Sequence, residues 1–196
     1  DGLVDLRVVD AGDVEMYSGD IERSLPKLEA AVERVTRAGA IPVVLGGDHS
    51  IAFPDAKGVA NVLGHGRVSM IHFDAHADTG DIEFGSLYGH GQPMRRLIES
   101  GALRGDRFLQ IGLRGYWPPP ETLDWMAGQQ MRSFEMTEIV HRGLDEVLTE
   151  AFDVTDAHAV RDFVSAVVQM ARALLMTVIA EGVESNDLAV NTRREI

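Results

Sequence analysis

The sequence predicts an α/β fold built on a mainly parallel sheet, and three observations carry that expectation. The short apolar runs Ile41-Pro42-Val43-Val44-Leu45, Val68-Ser69-Met70-Ile71-His72-Phe73 and Phe108-Leu109-Gln110-Ile111-Gly112-Leu113 have the length and composition of strands covered on both faces. Stretches with apolar residues at helical spacing separate them, as crossovers between parallel strands require. Histidines and aspartates directly follow the first two runs, which puts polar groups at the carboxyl ends of strands, the edge where open parallel sheets bind ligands.

Taken in order, Leu6-Arg7-Val8-Val9 reads as a first strand ending at the turn-forming Asp10-Ala11-Gly12-Asp13. Ser18-Gly19-Asp20 offers helix-capping residues, and Ile21, Leu25, Leu28, Val32 and Val35 follow helical spacing until Gly39 stops the helix before strand 41–45. A second crossover, helical from Pro54 to Leu63, leads to strand Val68–Phe73. The segment Thr79 to Gly89 is rich in glycine and polar groups and reads as an active-site loop, longer than ordinary connections. Pro93 suits the first turn of a short helix through Ile98, closed by Gly101. After strand 108–113, Pro118-Pro119-Pro120-Glu121 opens a helix to Ala127 and Met131 to Phe134 returns as a strand. Thr137 is placed to cap a helix running through Leu144, Val147, Leu148 and Ala151.

The 196 residues suffice for one α/β domain with a real core, and 45% hydrophobic with 25% charged residues is ordinary globular composition. A formal charge of −13 argues against nucleic acid or anionic membrane as a partner and mildly favours cations. Without cysteine there are neither disulfides nor thiolate metal sites, which suits a cytoplasmic location. No segment reads as a signal peptide or a clean membrane span.

The chemistry concentrates in Gly46-Gly47-Asp48-His49 and Asp74-Ala75-His76-Ala77-Asp78. In extended geometry Asp74, His76 and Asp78 would point to one side at about 6.7 Å intervals, too far apart to share one ion. A strand end that curls into a loop removes the difficulty, and two ions about 3.5–4 Å apart that share a carboxylate remove it better. An all-oxygen and imidazole set favours manganese, and less strongly zinc, iron or nickel. Asp48 orients His49 or caps the following helix. His72, two residues before Asp74 on the same strand face, is either an orienter of the ligands or a core histidine. His65, His141 and His158 read as surface or loop positions.

Gly-Gly-Asp-His-Ser at 46–50, Asp-Ala-His-Ala-Asp at 74–78 and Gly-His-Gly-Gln-Pro at 89–93 resemble the three successive motifs of the ureohydrolases, the arginase and agmatinase family. The resemblance covers roughly residues 1 to 153 and is closer to the agmatinase and guanidinobutyrase branch than to arginase. It implies an arginase-like three-layer sandwich, incomplete at both ends, and a hydrolase of linear amidines such as agmatine or guanidinobutyrate that releases urea. It also implies that His49, Asp74 and Asp78 hold one Mn2+, that Asp74 and His76 hold a second, and that His90 is the catalytic proton shuttle. Relatives of this kind are commonly homo-oligomers.

The family pattern also calls for a later strand ending in Asp-x-Asp and, further on, a glutamate facing the guanidinium. Here the expected region reads Glu150-Ala151-Phe152-Asp153-Val154-Thr155-Asp156-Ala157-His158, with no such pair. One or two ions are therefore expected, and the alternative to an active hydrolase is a catalytically impaired metal-binding fragment. From Phe163 to Leu175 the spacing predicts a helix, followed by strand Met176–Ala180 and Glu181-Gly182-Val183-Glu184. Residues 159–185 resemble a fragment of the EAL family, the cyclic-di-GMP phosphodiesterase barrel. The expected division is a partial ureohydrolase-like domain over 1–153 and a divergent tail over 154–196.

Overall fold

The computed structural model describes residues 8–116 and 118–154. Helix α1 (Ile21–Arg37) starts where the Asp20 carboxylate accepts a hydrogen bond from the Arg23 amide, which satisfies one otherwise unpaired N–H of the first turn. Its apolar stripe of Leu25, Leu28 and Val32 is buried against α2 (Ala52–Leu63). The two helices meet closely because Gly58 has no side chain: a Cβ there would lie 2.8 Å from the Glu29 carbonyl oxygen and 2.9 Å from Val32 Cβ. Glu29 also binds Lys57 Nζ at 2.9 Å and Asn61 Nδ2 at 2.7 Å, which ties the pair together at its margin.

Three strands follow: β1 (Val68–Phe73), β2 (Leu103–Leu113) and β3 (Arg132–Glu135), in the order β1-β2-β3 with both pairings parallel. The connections carry α3 (Pro93–Glu99) between β1 and β2, and α4 (Pro120–Gly128) between β2 and β3. After β3 come α5 (Met136–Arg142) and α6 (Leu144–Val154).

Side chains alternate across the sheet and feed two cores. On one face Phe108 is buried with Ala60 of α2 and with Met94 and Leu97 of α3, and Met70 packs against them. On the other, Leu109, Ile111 and Phe134 are buried with Ile139 of α5 and with Val147 and Ala151 of α6. Helices thus cover both faces, giving the three-layer α/β sandwich expected. Fully buried large side chains such as Phe108 and Phe134 each contribute about 1.5–3 kcal/mol to holding the layers together.

Four sequence expectations come out differently. Residues 41–45 form no strand, and Ile41 and Leu45 are 64% and 74% exposed: among the described residues no neighbour pairs with this run, and a lone extended segment has nothing to bond its backbone to. Val8 and Val9 are likewise exposed and outside any strand, while Leu6 and Arg7 lie outside the described residues. The helix expected from Thr137 through Ala151 is two helices. Its first begins at Met136, and Gly143, at φ 87°, breaks the chain before α6. Strand β2 begins at Leu103, five residues earlier than its apolar run, because Val68 pairs with Leu103 across a register shift. The helix at 163–175, the strand at 176–180 and the resemblance over 159–185 lie outside the described residues.

Candidate metal centre

Beyond β1 the backbone keeps its grip on β2 for two more bonds. The Asp74 amide donates to the Ile111 carbonyl at 3.1 Å, and the Arg114 amide donates to the Ala75 carbonyl at 3.1 Å. Gly112, at φ 110°, allows this close approach, since a Cβ there would lie 3.1 Å from the Asp74 carbonyl oxygen. The chain then turns. Asp74 Oδ1 accepts from the His76 amide at 2.7 Å, a short side-chain turn that curls the strand end and leaves Oδ2 facing inward. Asp78 is one of three non-glycine residues with positive φ among the described residues, at 51°. That left-handed conformation is uncommon outside glycine, and its carbonyl is held by the Met94 amide of α3 at 3.1 Å.

The second ligand group arrives from residues 46–50. Asp48 accepts a hydrogen bond from the Ser50 amide at 2.9 Å and so caps a one-turn 3-10 helix, His49–Ile51. That turn brings His49 Nδ1 to 2.5 Å from Asp78 Oδ2 and 3.8 Å from Asp74 Oδ2. The His49 ring stacks on His72, centroids 5.4 Å apart, and His72 stacks in turn on Phe108. His72 Nε2 lies 3.3 Å from Asp74 Oδ2 and 4.0 Å from Asp78 Oδ2.

His49, His72, Asp74 and Asp78 therefore each offer one ligand-type atom, all within 4.8 Å of one another. Two carboxylates and two imidazoles in so small a volume suit a divalent cation, which cancels the charge of the pair. A buried polar atom without a hydrogen-bond partner, His72 Nε2, faces the same point. Burial pushes the Asp74 carboxyl up. The close imidazole of His72, the amide of His76 and the nearby His49 together outweigh that and hold it below the usual carboxylate value.

Of the residues expected to act, the structure brings together His49, Asp74 and Asp78, and it adds His72. His76 is not in this group: its ring is 52% exposed, with Nδ1 3.4 Å from Asp74 Oδ1, whereas His49 Nδ1 lies 3.8 Å from the other oxygen, Oδ2. His90 is 80% exposed, and its nearest acidic contact is Asp48 Oδ2 at 3.9 Å. The hydrogen bond from Ser50, against a modest effect of burial, holds the Asp48 carboxyl below its usual value. The signal for His72 is its two-residue spacing from Asp74 on one strand face. Spacing alone does not separate a site histidine from a core one, and here His72 is both.

The loop 79–92 is built around Gln92, which is fully buried and accepts from the Gly89 amide while donating to the Ser86 carbonyl. It holds a single isolated bridge, Glu83 with Ser86. Among the described residues no helix is long and apolar enough to cross a membrane.

Comparison with known proteins places these features. The family described as the arginase family matches residues 1–168. A guanidinobutyrase from Pseudomonas aeruginosa is 34% identical over 145 residues, 74% of this chain and 45% of the relative. A guanidinopropionase from the same organism is 38% identical over 154 residues, 78% of this chain and 47% of the relative. The structure of a Trypanosoma cruzi formiminoglutamase with Mn2+2 superposes with a TM-score of 0.71 at 26% identity, covering 78% of this chain and 50% of that one. The chain thus spans about half the length of the curated relatives it matches. Its ordered motifs, its parallel α/β/α core and its histidine and aspartate cluster at the strand ends agree with that match, and the chain belongs to the arginase family.

Proposed function

We propose that the chain acts as a metal-dependent hydrolase of linear amidines, guanidino compounds such as agmatine or guanidinobutyrate, with release of urea. The observation that carries this reading is the convergence of His49 Nδ1, Asp74 Oδ2 and Asp78 Oδ2 at the carboxyl edge of the sheet, from two segments far apart in sequence. These three residues would hold one Mn2+, and Asp74 Oδ1 with His76 would hold a second, so that Asp74 serves both. Bound divalent cations supply Lewis acidity that makes water a competent nucleophile near neutral pH. The neighbouring residues then have defined tasks. Asp48 presents His49 by capping its turn. His90, solvent-reachable on the loop beside Asp48, would protonate the leaving amine, the general-acid task for which histidine is the side chain most often used. The printed names of the relatives support the guanidino class, and the Mn2+2 of the formiminoglutamase structure supports the choice of metal. A cytoplasmic homo-oligomer is the setting this reading assumes.

One observation favours a second reading, a metal-binding chain without turnover: no Asp-x-Asp pair follows Asp78 anywhere in the sequence. The test is urea formation from agmatine and from guanidinobutyrate by metal-stripped protein given back Mn2+. Urea that depends on Mn2+ and disappears in His49→Ala supports the hydrolase. Tight Mn2+ binding with no urea from either substrate supports the second reading, and full activity after metal stripping overturns both.

A further inference from the structure

One row of polar side chains crosses the sheet in register. His72 of β1 pairs with Gln110 of β2, which pairs with Ser133 of β3. All three lie on the face that carries Phe108, where apolar residues would pack as well, and Gln110 is fully exposed to no solvent at all. The Ser133 hydroxyl donates to Gln110 Oε1 at 3.0 Å, and Gln110 Nε2 donates to the Ala77 carbonyl at 2.6 Å. That second bond decides which way the amide points, because a carbonyl oxygen only accepts. The same NH2 group then faces His72 Nδ1 at 3.5 Å. A nitrogen facing a donor keeps its lone pair, so the ring proton belongs on Nε2.

The other side of the ring gives the same answer independently. Nε2 faces Asp74 Oδ2 at 3.3 Å and Asp78 Oδ2 at 4.0 Å. A lone pair there would be repelled by both carboxylates, whereas an N–H is attracted by both.

We propose that Ser133, Gln110 and His72 form a positioning relay across the three strands. It presents His72 as the Nε2–H tautomer, and the positive end of that N–H, though aligned for a hydrogen bond to neither, attracts the Asp74 and Asp78 carboxylates and holds them towards His49. His72 is then a positioning residue and not a metal ligand, even though its nitrogen lies within ligand distance of the cluster. Gln110 acts twice, since its bond to Ala77 also fixes the turn between the two aspartates. The inference rests on the metal-site reading above and assigns the roles within it.

The tautomer is read from long-range 1H–15N correlation spectra of histidine-labelled, metal-free protein. The expected result is a His72 ring with its proton on Nε2 and none on Nδ1, and a ring protonated on Nδ1 overturns the relay. Zn2+ then serves as a diamagnetic probe. His49 nitrogen signals should shift on binding while His72 keeps its Nε2 proton, and loss of that proton makes His72 a ligand and overturns the proposal. In Gln110→Met, with helix content checked by circular dichroism, Mn2+ affinity should fall about 10–100-fold. Ser133→Ala, a milder change that tests the same row if the first variant does not fold, should weaken binding less, and unchanged affinity in both overturns the relay. Failure of the wild-type chain to bind either metal, with His72 still protonated on Nε2, sinks the metal reading and leaves the relay standing.

Discussion

Asp78 Oδ2 lies 2.5 Å from His49 Nδ1 although 29 residues separate them in sequence. Two features create the contact: the left-handed backbone of Asp78, and the capped turn that begins at Asp48. Removing either partner should therefore remove cation binding without removing the core, because neither residue belongs to the buried apolar clusters. Asp78→Ala and His49→Ala should each lose most Mn2+ affinity by calorimetry while keeping wild-type helix content, and wild-type affinity in both would dissolve the proposed centre.

Metal removal should also register as lost stability, since a ligand that binds only the folded chain stabilises it. With free Mn2+ at a hundredfold the dissociation constant the gain is about 2.7 kcal/mol. For a chain of this size that corresponds to a melting temperature higher by about 5–10 °C. A chelator should reverse the shift in the wild type and have no effect on Asp78→Ala.

Asp55, in the first turns of α2, has its carboxyl pushed up from 3.8 to about 6 by burial. The folded form holds its proton more tightly than the unfolded chain does. The penalty is therefore absent below the ordinary value of 3.8, grows as pH rises from there to about 6, and is constant above. Asp55→Asn should stabilise the fold by about 1–3 kcal/mol at about pH 8 and have little effect at about pH 4, as urea unfolding at the two pH values would show.

Gly58 lies where α1 and α2 touch, and the added methyl of Gly58→Ala meets the Glu29 carbonyl and Val32. The helix-propensity gain of alanine is outweighed by this overlap, so the variant should lose about 1–3 kcal/mol in denaturant unfolding. A more stable variant would show that the helices are free to separate.

Behind β3, Arg132 and Arg142 share Glu138 and Glu150, and the Arg132 guanidinium stacks on Phe134 with its centre 3.8 Å from the ring centroid. Hydrogen bonds from the arginines hold both glutamate carboxyls below their ordinary 4.5. Their contribution is present above 4.5 and is lost as pH falls through the depressed values. Arg142→Met should accordingly lower the melting temperature at neutral pH, with the difference narrowing in strong salt and in acid. A difference that persists in both would assign the effect to packing.

How much of this was legible in the residues differs from element to element. Val68–Phe73 was readable as a strand to the residue, and the helices opened by Asp20 and by the prolines near 93 and 120 were readable to within a residue or two. Each carries its own local signal in a cap, a proline or an unbroken apolar run. The run 41–45 has the same composition as β1 but no pairing partner among the described residues. Strand formation depends on a neighbour, which composition does not report. The break at Gly143 is not legible because helical spacing resumes at Leu144, and periodicity does not register a positive-φ residue between two helices.

The sequence by itself determined the α/β class, the family and three of the four residues that converge at the strand ends, because ligand chemistry and buried-strand composition are written in local order. Only the tertiary structure decided that His72 joins them, that His76 stays outside the cluster beside Asp74 Oδ1, and that Gln110 and Ser133 stand behind the site. Those relationships depend on register between strands and on the turn after Asp74, which bring together atoms that no spacing along the chain connects.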